Sequence, residues 1–188
     1  MYQKFYLYAY SYTYSYSPSY SYSYSSSSQV SPMMRAHSSK IRADITAYEQ
    51  HCGAYKDEVA NSSIKRYATG HISALAQIGS AEDFHSEECE TLKKMLHIAN
   101  VFECLKEMEA SEALMKDVEG ILKDYRALWE CVLNCVNVIE GAKLITWGAL
   151  DQEAFDESSK GLVTGVRKLP RNLRKSDAFL GLDKMVKE

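Results

Sequence analysis

The stretch LMKDVEGILKDYRALWECVLNCVNVI, residues 114–139, decides the fold class. Its apolar positions fall at Leu114, Val118, Ile121, Tyr125, Leu128, Val132, Cys135 and Ile139, alternating steps of four and three. That is the seam one α-helix offers another, with coiled-coil spacing. A second file, Met115, Leu122, Trp129 and Val136, recurs every seventh residue beside it and widens the face. A face this broad has to be covered by neighbouring helices. A helix of about 30 residues runs roughly 45 Å, so the array built around it is elongated.

Working outward, the helical period holds on both sides. Ile41, Ile45, Tyr48, Cys52, Tyr55 and Val59 step by four and three from Lys40 onward, with Gly53 a tolerable weakness inside the helix. Asn61-Ser62-Ser63 offers a break and a cap. A second helix is marked by Ile64, Tyr67, Ile72, Leu75 and Ile78 and is expected to end near Gly79-Ser80. A third is expected after Ser86, through Leu92, Met95, Ala99, Phe102 and Leu105, with Glu87 and Glu88 in its first turn where the helix dipole favours acid. The apolar phase slips at Glu109-Ala110-Ser111, which reads as a turn before the central helix, and the central helix ends near Gly141. Asp151 caps the next helix, whose buried positions are Phe155, Leu162, Val166 and Leu169 until Pro170 stops it. Ser176-Asp177 starts a last helix bearing Phe179, Leu182, Met185 and Val186, with its pattern still running at Glu188 and Phe179 and Met185 expected partly uncovered. No segment from residue 40 on reads as a strand. The expected class is all-α, an elongated array of about five to six helices.

Residues 1–40 differ from the rest. Of fourteen tyrosines, ten lie in the first 24 residues, alternating with serine, and the segment has no acidic residue. The alternation matches strand period but has no second strand to pair with, so this low-complexity tail is expected to be disordered. Lys4, Arg35 and Lys40 give the tail +3 against −3 for the whole chain, leaving −6 on residues 41–188. An acidic body without a clustered basic face argues against a nucleic-acid function. No apolar run approaches the ~20 residues needed to span a bilayer. The five cysteines form no CxxC pair or disulfide framework and read as packed thiols of an intracellular protein.

The residues with chemical potential do not converge. His85 and Cys89 share a helical face, yet a metal site needs three or four ligands, so they read as a polar helix start and a packed thiol. Cys131 and Cys135 lie one turn apart on one helix, unsuited to a disulfide. His71 and His97 have no nearby nucleophile. Ser158-Ser159-Lys160-Gly161 lacks the spacing and preceding strand of a phosphate loop. Arg167, Lys168, Arg171, Arg174 and Lys175 cluster around Pro170, reading as helix-end charge that complements the dipole, with a phosphate or acidic partner surface as the alternative. No catalytic, cofactor-binding or metal-binding residue is assigned, and no cofactor is expected.

Residues 99–188 resemble the start of the linker region of dynein heavy chains. Ala99-Asn100-Val101-Phe102-Glu103-Cys104-Leu105 is similar to that family's Ala-Asn-Leu-Phe-Glu-Leu, and Leu128-Trp129-Glu130 to its Leu-Trp-Asp. Trp147, an acidic helix start at Asp151, then Leu169-Pro170-Arg171 and Asp177-Ala178-Phe179-Leu180-Gly181-Leu182 followed by Val186-Lys187 continue the order. Ala142 stands where the family often has tryptophan, and Ser111-Glu112 where it often has Tyr-Pro, marking a divergent member. Beyond the tail (1–40), which has no counterpart in that family, the resemblance implies two parts: a helical segment preceding the linker (41–98) and an incomplete linker-like region (99–188). It implies a non-catalytic helical lever whose parent motor carries the ATPase modules elsewhere. Trp129 and Trp147 would be core anchors, and Pro170 would set the turn between the last helices. The implied partners are other dynein segments and the intermediate and light chains, with microtubules reached only through parts outside this sequence. The implied setting is the cytoplasmic cytoskeleton, including the cilium or axoneme, without membrane or nucleic-acid contact. The rival reading is a free-standing scaffold that self-associates through the Leu114–Ile139 seam.

Overall fold

A computed structural model describes residues 27–146 and 151–187, with side chains described from residue 35 onward. Among these residues there are five α-helices and no strand: α1 (Ser27–Asn61), α2 (His71–Val101), α3 (Glu109–Lys143), α4 (Gln152–Lys168) and α5 (Asp177–Lys187). Short 3-10 turns at Ser63–Lys65, Tyr67–Thr69, Leu105–Met108 and Arg171–Lys175 lie between them. The all-α class read from the periodicity is what the chain adopts.

Cross-helix ties fix the directions. Arg42 meets Glu107 at 3.0 Å and Lys56 meets Asp117 at 2.6 Å, numbers rising together, so α1 runs parallel to α3. The Tyr48 hydroxyl donates to the Glu88 carbonyl and the Tyr55 hydroxyl to the Ala81 carbonyl, numbers running oppositely, so α2 is antiparallel to α1. The three helices go up, down and up. α4 returns antiparallel to α3, with Gly165 beside Cys131 and Asn172 bonded to Asp124. α3 is thus the spine. α1 and the C-terminal part of α2 cover its first half, where Met115, Val118 and Leu122 join Ile45, Tyr48 and Cys52 in one core. The 64–67 turns, the start of α2, α4 and α5 cover its second half, where Trp129 and Val132 join Ile64, Ile78, Val166 and Leu182. Ile121 touches both cores.

All six positions expected on the buried face of α1 are buried, from Ile41 to Val59. Several other expectations are corrected. α1 starts at Ser27, not near Lys40, and passes through Pro32, five residues in, where proline removes only one ladder bond close to a helix end. Residues 1–26 and the anchor expected at Trp147 lie outside the described residues. The second and third expected helices are one, because α2 runs unbroken through Gly79-Ser80. The Ser80 hydroxyl is satisfied inside the helix by the Ala76 carbonyl, and its heptad row simply changes character, with His85 and Glu88 in positions an apolar residue would take. The true turn is Phe102–Met108. Glu103 adopts φ +57°, the Cys104 N–H donates to the Ala99 carbonyl at 2.9 Å and the Glu103 N–H to the Asn100 carbonyl at 3.3 Å. This is a Schellman stop with glutamate where glycine is usual.

The deepest row of α3 is Ser111, Met115, Val118, Leu122, Tyr125, Trp129 and Val132, with Met108 of the preceding turn continuing it and Leu128 and Cys135 beside it. Leu114, Ile121 and Ile139 are only half-buried. Over the first half of α3 the buried row takes Met115 and Leu122 from the second file and Val118 and Tyr125 from the first. Phe155 stays 43% exposed, because α4 packs only from Leu162 onward. Phe179 is buried against the second core, and the large apolar residue that α5 leaves exposed is Leu180. Within the Leu114–Ile139 face, Leu128 at 0% and Val132 at 2% exposure are buried inside the one chain, while Leu114, Ile121 and Ile139 keep part of their surface exposed.

Candidate functional site: the joint at Trp129 and the polar seam

The second half of α3 is locked by one side chain. Trp129 is fully buried, and its indole N–H donates to the Ile64 carbonyl at 2.8 Å. A buried indole needs such a partner, and Ile64 lies in a turn whose carbonyl is free of helix bonding. The Tyr67 ring stacks nearly parallel to the indole, centroids 6.5 Å apart at 13°. The other neighbour of Tyr67 is the backbone of α5 at Gly181. A Cβ there would fall 2.7 Å from Tyr67 Cδ1 and nearer still to Cγ and Cδ2. The Tyr67 N–H donates to Asp177 Oδ2 at 2.8 Å, pinning the same turn to the start of α5. Trp129, Tyr67 and Gly181 therefore interlock three segments far apart in sequence. Trp129 was expected as an anchor; Tyr67 and Gly181 were not recognised. The available signal was a glycine inside a short, strongly patterned helix, which marks close approach.

Outside the joint, α3 is tied to each neighbour. Arg126 forks onto Glu82 of α2 through Nε and a terminal nitrogen and also faces Glu130 at 3.8 Å. The Asn172 amide donates to Asp124 at 2.6 Å. These ties are partly exposed, so each contributes at most about 1 kcal/mol; they set register more than stability.

The first core contains a polar seam between α1 and α2. His51 Nε2 meets Glu88 Oε2 at 3.2 Å, and His85 Nε2 lies 3.5 Å from Cys89 Sγ. The His85 ring also stacks on Tyr55, while its Nδ1 is buried without a hydrogen-bond partner. The two residues paired from sequence do meet, but in the middle of α2 rather than at a helix start. Burial pushes the Cys89 thiol up and the His85 imidazole down, so both are held neutral. That opposes the thiolate–imidazolium state a cysteine nucleophile requires. Burial likewise raises Cys52 to about 11 and Tyr55 to about 12. Among the described residues no group of three or more His, Cys, Asp or Glu could hold a metal ion.

The remaining candidates stay apart. Hydrogen bonding between the Cys131 and Cys135 thiols lowers the half-buried Cys131 and raises the buried Cys135, and all five cysteines are free. His97 is exposed and His71 half-buried. The hydroxyls of Ser158 and Ser159 are engaged by carbonyls one turn back in α4, and Lys160 pairs with Asp156. The geometry is that of a cross-braced helical body. No helix of the described residues is long and apolar enough to cross a membrane.

No family profile matches the chain. Among curated proteins it is similar to the dynein alpha chain of the flagellar outer arm of Chlamydomonas reinhardtii, 22% identical over 160 residues. The aligned region is 85% of this chain and 4% of that protein, so the chain spans a small part of the relative it matches. The similarity supports a dynein-related segment.

Proposed function

We propose that this chain is a segment of a dynein heavy chain that acts as a linker-proximal helical lever and catalyses nothing by itself. The observation that carries the mechanical reading is the Trp129 joint, in which one stacked contact couples α3, the 64–67 turns and α5. A lever has to pass load between helices without sliding, and close-packed, interdigitated side chains resist such sliding. In this reading the order of short motifs from Ala99 to Val186 places the segment at the start of the linker. Its partners are other dynein segments and the intermediate and light chains, and its setting is the axoneme or the cytoplasmic cytoskeleton. ATP hydrolysis and microtubule binding belong to other parts of the parent motor.

Optical-tweezers pulling on the full chain, with handles at residues 41 and 187, tests the lever. The expected result is one cooperative rip that includes both cores. Independent low-force yielding of the 144–187 region would overturn the reading.

A further inference from the structure

We propose that a cleft beside the Arg171–Lys175 turn docks an acidic polypeptide segment that carries an apolar side chain. The fold assembles what the sequence separates. Arg167, Lys168, Arg171, Arg174 and Lys175 are all exposed, and Lys65, about a hundred residues earlier, lines the same cleft as Asn172 and Leu173. None of these six cations forms an ion pair among the described residues, whereas Lys56, Arg126, Lys160 and Lys187 all do. The dipole of α4 accounts for Arg167 and Lys168 at its last turn. It does not account for Arg171, Arg174 and Lys175, which lie beyond the helix end.

The turn that presents them is fixed. Leu169 and Leu173 are buried, the Asn172 amide donates to Asp124 at 2.6 Å and the Ser176 hydroxyl to the Leu173 carbonyl at 2.7 Å. Pre-set cations lose less freedom on binding than cations on a mobile loop. The cleft holds about 180 Å³ and is lined by apolar side chains, Ile121, Tyr125 and Leu173, together with polar ones, Lys65, Asp124 and Asn172. That is below the ~300 Å³ at which small-molecule sites begin, and it suits a single side chain. Asp124 also lines the cleft; it accepts the Asn172 amide at 2.6 Å, stays anionic, and is the one carboxylate among the lining residues, against Lys65.

The charge distribution selects the kind of anion. The basic surface is local, and residues 41–188 carry −6 overall. An extended polyanion such as nucleic acid would run past the patch onto that acidic body, where repulsion acts at separations within a Debye length of about 8 Å. A short acidic segment, its carboxylates over the cations and one apolar side chain in the cleft, meets both features.

Fluorescence anisotropy of the full chain with a fluorescein-labelled heptapeptide of glutamates around a central leucine tests this. The comparators are the same peptide with central glycine and a single-stranded oligonucleotide of equal charge. Saturable, salt-sensitive binding is expected, weakened about tenfold or more by Arg171→Glu with Arg174→Glu and about threefold by the glycine peptide. Lys106→Glu with Lys116→Glu, on exposed sites elsewhere, should leave it unchanged. No saturable binding, equal loss in the control variant, or equal affinity for the glycine peptide overturns the proposal. Tighter binding of the oligonucleotide overturns it too, in favour of a phosphate site.

Discussion

Gly181→Ala is the sharpest probe of the joint. In an ordinary helix the change is favourable by about 1 kcal/mol, because glycine is a poor helix former. At residue 181 the new Cβ would overlap the Tyr67 ring, which is backed by Trp129 and cannot withdraw without leaving the stack. Overpacking of a tight contact costs about 1–3 kcal/mol, and losing an aromatic pair about 0.5–1.5 kcal/mol. Set against the helix-propensity gain, the net loss is about 2 kcal/mol, or a Tm drop of about 4–8 °C for a chain of this size. Far-UV circular dichroism gives the stability, and the near-UV band reports the Trp129 environment. Gly161→Ala is the control, since a Cβ there meets nothing within 4 Å, and it should raise stability. In a Tyr67→Ala background, Gly181→Ala should turn neutral or stabilising, which isolates the contact as a pairwise term. A Gly181→Ala chain as stable as wild type with an unchanged near-UV band would refute the reasoning.

Three further outcomes follow from the same packing. Leu128→Asp places a charge without a partner at a site of 0% exposure and should cost more than about 4 kcal/mol, abolishing helical signal; a folded monomer would contradict the intramolecular use of the seam. Glu103→Gly relieves a left-handed backbone and, after the unfolded-state entropy of glycine, should raise stability by about 0.5–1 kcal/mol in urea titration, whereas a loss would show that the Glu103 side chain matters more than its φ. Burial lowers the His85 pKa against the opposing charges of Glu119 and Glu88. The unfolded chain therefore binds that proton first, at about pH 6.5, and stability falls as pH drops from there through the lowered native value. Urea midpoints from pH 8 to 5 should decline less steeply for His85→Leu than for wild type, and parallel declines would rule out this contribution.

The parts that were legible in the sequence are those where apolar side chains alone mark the buried face. Ile41 to Val59 on α1 and Leu162, Val166 and Leu169 on α4 are buried as read, and so are Trp129 and Leu182. The misreadings share a cause, a polar or permissive residue in a seam position. Ser111 occupies the deepest row of α3 with its hydroxyl unpartnered, so the row looked broken where it actually starts. His85 and Glu88 did the same for α2, and Gly79 looked like an ending although the helix on either side carries it through. The real stop at Glu103 was hidden because a glutamate takes the left-handed position. The joint was legible only at Trp129. Tyr67 meets Gly181 through tertiary packing across more than a hundred residues, which no local period encodes. Phe155 continues the apolar stripe of α4, but periodicity does not tell where a covering neighbour runs out.

The central claim, that this is a lever from a dynein heavy chain, is tested most directly by sequencing the transcript on both sides of the codons for residues 1–188. The account predicts one open frame that continues downstream into P-loop ATPase modules with the GxxxxGK[ST] spacing, each phosphate loop between a strand and a helix. A mature transcript that stops after Glu188, with no such module in frame, would contradict it and leave a cross-braced helical body with its motor role removed.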